Sequence, residues 1–417
     1  MSIFRKMSIF RKMQLLCVVI FLFVNFQLKA EKTFPITNQI QIKDFSSKNT
    51  VWEVFANRAR DVVLGIALSK NKEILWIGTW GGLEKRRAST GELKKLYTTT
   101  DGLPSNNIST IISDDQEGVW LGTKEHGLVH LKTDGSLSIF NINNSKLPDN
   151  FILSLYLDQG SLWIGTNSGL ALLKKNGKWK VFDKNNSGMP GYIAYPHYYN
   201  SSKDKFDSER EVSEEERLEA LRKKNLVHAL HSDNQGGMWI GTEHAGLIHF
   251  KKDGSWQTFN RENSSLTFNK ISSILPDNQG GIWVGGTYGG SELAHLKADG
   301  TWQIFNTQNS KLPDDSVWGI QSDNQGGIWL GTYNGGLARL KADGSWLVFS
   351  RNRSKLPKYI ESLHSDGEGG VWIGTRGSGF IHFTKDQSWE YFSTKFGMPA
   401  FYVIKITKLL LLDTAVF

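Results

Sequence analysis

The 417-residue chain is almost without cysteine, is poor in proline, and has no block of like charge or apolar run long enough to span a bilayer. Its one cysteine, Cys17, falls inside an N-terminal apolar stretch (Leu15 to Phe26) and not after it, so lipidation there is not expected. Beyond that stretch the chain has no thiol. This excludes disulfide staples, a cysteine nucleophile and cysteine-ligated zinc together. The stretch is about a dozen residues, short of the ~20 a membrane helix needs. Arg5, Lys6, Arg11 and Lys12 precede it and the small Ala30 follows, so residues 1–30 read as an export signal. MSIFRK occurs twice in succession, which makes Met7 an alternative start. The formal charge of +8 includes five basic groups in residues 1–30 and no acidic ones, leaving about +3 without a basic run. Nucleic acid is therefore not an expected partner, and no membrane span is expected after signal cleavage. There is no HExxH, phosphate loop or nucleophile elbow, and no metal or other cofactor is expected.

What the chain has is tryptophan and glycine in a fixed rhythm. Trp76, Trp120, Trp163, Trp239, Trp283, Trp329 and Trp372 each precede an aliphatic residue and a glycine, at intervals of 44, 43, 76, 44, 46 and 43 residues. A period of roughly 40–45 residues with four short strands per unit is the pattern of a β-propeller blade. The expectation is an all-β chain: a seven-bladed β-propeller of four-stranded antiparallel blades over residues 52–393, with 31–51 as a lead-in. The long interval predicts an insertion at about 191–224, between blades 3 and 4. It begins aromatic (Tyr192, Tyr195, His197, Tyr198, Tyr199) and turns charged. Ser213 three residues before Glu216 is a capping box and predicts a short helix from Ser213 to Lys224. That helix would be a lid, a dock for a protein partner or a tolerated surface insertion.

Within each unit, SDNQGG reads as the turn between the first and second strands. Lys-x-Asp-Gly reads as the turn between the third and fourth. Asp134–Gly135, Asn176–Gly177, Asp253–Gly254, Asp299–Gly300 and Asp343–Gly344 are hairpin signals that demand positive φ, so these acids are turn residues, not metal ligands. The blade tryptophans, with Trp179, Trp256, Trp302, Trp346 and Trp389, suit the ~10 Å gap between stacked sheets and are expected in the core. WEVF at Trp52 and WEYF at Trp389 both resemble outer strands and compete for the place that closes the ring.

The repeat resembles the two-component regulator propeller family, carried by GGIWLGTYNGGLARL (Gly326 to Leu340), GGMWIGTEHAGLIHF (Gly236 to Phe250) and EGVWLGTKEHGLVHL (Glu117 to Leu131). The resemblance implies a periplasmic or secreted sensor propeller that recognises a small polar ligand, often a carbohydrate. Such propellers relay the signal through a further module and a membrane helix to a kinase or cyclase. A fainter likeness to sialidase Asp-boxes lacks an arginine cluster for a carboxylate. Gly397 to Asp413 repeats the start of another unit, compare Gly102 to Asp115, so residues 394–417 read as a partial eighth repeat and the chain as a truncated relative of a longer sensor.

Positions alike in every blade hold the fold, and those that differ are free to bind. The loop between strands two and three and the loop between blades open on one face of a propeller, where binding groups concentrate. Candidates there are Trp80, Glu125, His126, Glu243, His244, Tyr288, Tyr333, Asn334 and Arg376. A second variable position lies eleven residues before the blade tryptophan and adds His228, Trp318 and Glu361, with Ser109 and Ser272 in two other blades. Aromatic, amide and charged groups of this kind suit a polar ligand. No catalytic residue is assigned. The alternatives are a lyase like the streptogramin-inactivating propellers, with a general base among the same histidines and glutamates, and a protein-interaction propeller.

Overall fold

The structure is a computed structural model. It describes residues 41–42, 62–182, 187, 189–190, 226–287, 292–350, 356–357, 359–376, 378–392 and 404–406. Residues 63–392 form seven antiparallel sheets, each a four-stranded meander in chain order. The innermost strands are Val63–Leu68, Ile108–Ser113, Ile152–Asp158, Val227–Ser232, Ile271–Pro276, Val317–Ser322 and Ile360–Ser365. Each packs beside the next, and Ile360–Ser365 returns to Val63–Leu68, so the ring is closed. The expected seven four-stranded blades are the observed ones. The predicted helix at Ser213 to Lys224 lies outside the described residues, as do the export signal and Trp52 to Phe55. The outer strand of blade 7 is Trp389–Phe392. Ile404–Ile406, which the repeat alignment places at the start of an eighth unit, pairs with it as a fifth strand, and Gln41–Ile42 pairs as a sixth. Among the described residues no helix is long and apolar enough to cross a membrane.

One polar arrangement recurs at the base of the blades. The aspartate of the SDNQGG turn accepts two backbone N–H bonds through Oδ1: Asp233 from Gln235 (2.8 Å) and Gly237 (2.7 Å). Its other oxygen takes a histidine of the third strand, His249 Nε2 at 2.8 Å. That imidazole lies flat on Trp239, with centroids 3.9 Å apart and planes 11° from parallel. The same clasp is built by Asp114–His130–Trp120, Asp277–His295–Trp283 and Asp366–His382–Trp372. In blade 6 an arginine replaces the histidine: Arg339 Nε reaches Asp323 at 2.8 Å and its guanidinium covers Trp329. The second glycine of the turn is needed because a Cβ on Gly237 would sit 2.3 Å from Asp233 Oδ2 and 2.4 Å from the Phe250 carbonyl.

Between blades the core is aliphatic and aromatic, and the glycine of Trp-x-Gly lets the next blade approach. A Cβ on Gly241 would lie 2.7 Å from Ile271 Cγ2 of blade 5. Of the repeated tryptophans, Trp76, Trp163, Trp239, Trp329, Trp372 and Trp389 are buried. The closing seam packs Val63, Ile66, Leu75 and Ile77 of blade 1 on Trp372, Phe380 and Phe392 of blade 7. Arg86 lies over Phe380 across this seam, held by Glu84 at 2.6 Å and donating to the Gly91 carbonyl. The Leu68 N–H donates to His364 Nε2 (3.3 Å), and burial pushes that imidazole down to about 4.

Gly241→Ala is expected to cost ~1–3 kcal/mol in chemical denaturation, because the added methyl would overlap Ile271 of the next inner strand. The clasp also predicts an acid limb. Burial opposes ionisation of Asp233, but His249 and the Gln235 and Gly237 N–H groups outweigh it and hold the carboxyl below its usual range. Its stabilisation is complete above the unfolded value and disappears as pH falls through the folded one. Asp233→Asn should therefore melt lower at pH 7 and lose less on acidification to pH 3; parallel melting curves for the two proteins would refute the account.

Candidate functional site

One face of the ring is formed by the ends of two kinds of connection. The threonine after Trp-x-Gly pins the loop between strands two and three: Thr242 Oγ1 donates to the Gly246 carbonyl (2.8 Å) and accepts from the Ala245 N–H (2.9 Å). Thr123, Thr332 and Thr375 make the same donation to Gly127, Gly336 and Gly379. The residue after that threonine then donates its backbone N–H to the residue just before the inner strand of its own blade: Glu243 to Leu226, Tyr333 to Ser316, Arg376 to Tyr359. The two connections are thereby tied together, and their variable side chains project from a fixed frame.

Each innermost strand also slips register by one residue near this face, a β-bulge repeated in all seven blades. The residues at the slip are Leu64, Ser109, Leu153, His228, Ser272, Trp318 and Glu361, all half-buried. A bulge re-aims its side chain. This is the second variable position of the sequence, extended to the two blades where the offset from the tryptophan differs. Ser109 and Ser272 bond the next inner strand, at Ile152 (2.6 Å) and Val317 (2.7 Å) carbonyls, so their work is structural. His228, Trp318 and Glu361 remain for other chemistry.

The side chains gather at the seams between blades. At the seam of blades 4 and 5, Glu243 stands between Lys270 Nζ (2.6 Å) and His228 Nε2 (2.5 Å). The two atoms of the histidine contact are buried and lie outside hydrogen-bond alignment. Burial alone would raise the Glu243 pKa; His228 and Lys270 overcome it and bring it to about 2. His244 beside them is half-buried, and desolvation lowers its pKa. At the seam of blades 6 and 7, Trp318 stacks on Tyr333 (5.3 Å, 30°) and Tyr333 meets Tyr359 at 4.6 Å. Arg376 lies over Trp318 and Tyr359 and pairs through Nε with Glu361 at 2.5 Å. Burial raises the Glu361 pKa and Arg376 only partly offsets it. At the seam of blades 2 and 3, Lys124 approaches Phe151 and also the exposed Trp80 of blade 1.

The structure thus joins Glu243 with His228, and Tyr333, Trp318, Arg376 and Glu361 with one another. It leaves Glu125 and His126 exposed on the loop of blade 2 and Asn334 exposed next to Tyr333 on the loop of blade 6. Tyr288 lies outside the described residues. Sequence reasoning missed Lys270, Tyr359 and Phe151. All three sit immediately before an inner strand, and comparing that position between blades would have shown it to be as variable as the others. Among the described residues no group of three or more His, Cys, Asp or Glu side chains is placed to hold a metal ion.

Replacing Lys270 with methionine is expected to raise the Glu243 pKa from about 2 toward its ordinary 4.5, read by carboxyl-carbon NMR titration. The stabilisation from ionised Glu243 is full above the unfolded value and fades toward pH 2, so the variant should lose this contribution at a higher pH. An unchanged titration would break the assignment of the ion pair.

The sequence model of the two component regulator propeller matches residues 102–125, 146–168, 223–244, 265–288 and 311–334, in five of the seven blades. Each match runs from the connection before an inner strand to the loop after Trp-x-Gly-Thr. No curated protein sequence is similar to the chain. Among solved structures, it is similar to the extracellular domain of a protein described as a hybrid two-component system of B. thetaiotaomicron (20% identity, TM-score 0.57, 77% of this chain and 39% of that one). It is also similar to a catalytically inactive virginiamycin B lyase of Staphylococcus aureus with quinupristin (12%, TM-score 0.56, 82% and 98%). A third is PorZ, a surface component of the type-IX secretion system of Porphyromonas gingivalis (9%, TM-score 0.51, 85% and 39%). At these identities the likeness is one of fold, and the chain spans only 39% of the two-component relative. The chain is a seven-bladed propeller, and five of its blades carry the repeat that the two component regulator propeller model describes.

Proposed function

We propose that this propeller is the exported, ligand-recognising part of a sensor, and that the face carrying the seam clusters binds a small polar ligand such as an oligosaccharide. The observation that carries the reading is the cluster of Trp318, Tyr333, Tyr359, Glu361 and Arg376. These are residues from positions that vary between blades, brought together beside loops pinned by Thr332 and Thr375. Aromatic faces beside fixed charged groups suit sugar rings and other polar molecules with apolar faces. Passage of a signal to a kinase or cyclase, and residence outside the cytoplasm, belong to the same proposal. A lyase is the second reading, favoured by the acid–base group of His228, Glu243 and Lys270 at the same face.

Calorimetry against a panel of oligosaccharides and a streptogramin B separates the two. Under the sensor reading one saccharide class gives saturable heat, and Tyr333→Ala weakens it about tenfold, on the order of 1.4 kcal/mol, with little change in the melt. Ring opening of the streptogramin, lost in His228→Ala, would favour the lyase. Tyr333→Ala without effect on saccharide binding would remove the blade 6–7 cluster from the site.

A further inference from the structure

We propose that the seam of blades 6 and 7 is a carboxylate subsite, with Arg376 as the group that grips the anion. The inference rests on the reading that this face binds a ligand, and adds the ligand's charge.

The guanidinium is held in three ways. Its Nε bonds Glu361 Oε1 at 2.5 Å, and its planar carbon lies 5.3 Å from the Trp318 ring and 5.6 Å from the Tyr359 ring. Tyr333 braces both rings, against Trp318 at 5.3 Å and Tyr359 at 4.6 Å. The backbone is fixed as well, because the Arg376 N–H donates to the Tyr359 carbonyl at 3.2 Å. With Nε occupied, the two terminal nitrogens have no partner among the described residues. They form the end of the guanidinium fork, and that end fits the two oxygens of a carboxylate.

Exposure separates the two charges of the pair. The Arg376 side chain is 42% exposed and that of Glu361 only 5%, so an arriving ligand meets the cation while the acid stands behind it. Glu361 sets the orientation of the fork at the cost of part of its positive charge. Selectivity should then come from bidentate geometry more than from net charge, and lysine should be a poor substitute. The neighbouring clusters do not offer this chemistry: Lys270 is already committed to Glu243, and Lys124 is a point charge without a fork.

A carboxylate could belong to a uronic acid or to the C-terminus of a short peptide. Nitrogen-15 NMR of the arginine side chains in the full chain tests the subsite without knowing the ligand, using acetate as probe and the Arg376→Lys spectrum for assignment. The Arg376 signals should move saturably with acetate and stay still with acetamide. No acetate-dependent movement overturns the subsite, even if neutral sugars bind elsewhere on the face. Calorimetry with an oligogalacturonide and its methyl ester, and with a tripeptide and its C-terminal amide, then identifies the source. The acid of the matching pair should bind at least ~tenfold tighter, and Arg376→Gln should erase that preference. A preference that survives Arg376→Gln places the anion elsewhere. Movement of Arg376 with acetate, but no saccharide binding, would refute the oligosaccharide reading and keep the carboxylate subsite.

Discussion

The carboxylate at the base of each clasped blade organises more of this molecule than any other group. One oxygen of Asp233 closes the first turn and the other orders the imidazole that covers the blade tryptophan. A single side chain thus ties together strands one, two and three. Burying that charge is tolerable because both oxygens are satisfied by N–H donors. The flat imidazole then presents the tryptophan with a matched surface, an arrangement worth about 1 kcal/mol per pair beyond the area it buries. Five blades use this device. Blades 1 and 3 lack it, with Lys85 and Leu172 opposite Trp76 and Trp163.

The fold was legible because it is written seven times. Trp-x-Gly-Thr, Asp-Gly and SDNQGG each reflect a local demand: a ring to fill a gap, a left-handed turn, a glycine where a carboxylate and a carbonyl crowd. The histidines of the clasp were equally periodic, each directly opposite a blade tryptophan. A histidine on a strand carries no signal until its partner is known, and these are largely buried against theirs. The bulge was half legible. Variability eleven residues before the tryptophan exposed it in five blades, whereas Leu64 and Leu153 escaped because their following turns differ in length. Register is a property of the pair of strands and cannot be read from one of them.

The candidate site was legible as a set of positions but not as a set of partners. Glu243 and His228 came from different arguments, and only the sheet brought them within contact. Lys270 and Tyr359 belong to the next blade in each case. Their contacts with Glu243 and Tyr333 obey one rule: the residue after the pinned threonine of a blade meets the residue before the inner strand of the following one. Lys124 with Phe151 follows it, and so does the bridge between Arg376 and Val62 that closes the ring. The sequence separation across such a contact is set by the outer strands, which carry no information about it.

That rule has a bearing on how such a surface changes over generations. Each of these seams is a two-part lock, one half contributed by each neighbour, mounted on a frame of backbone and threonine hydrogen bonds. A substitution at one seam alters the local chemistry and leaves the others and the frame untouched. Duplication or exchange of a whole blade rewrites two adjoining locks at a stroke. New recognition can accordingly be reached in small, separable steps, each sampled without jeopardising the architecture that displays it.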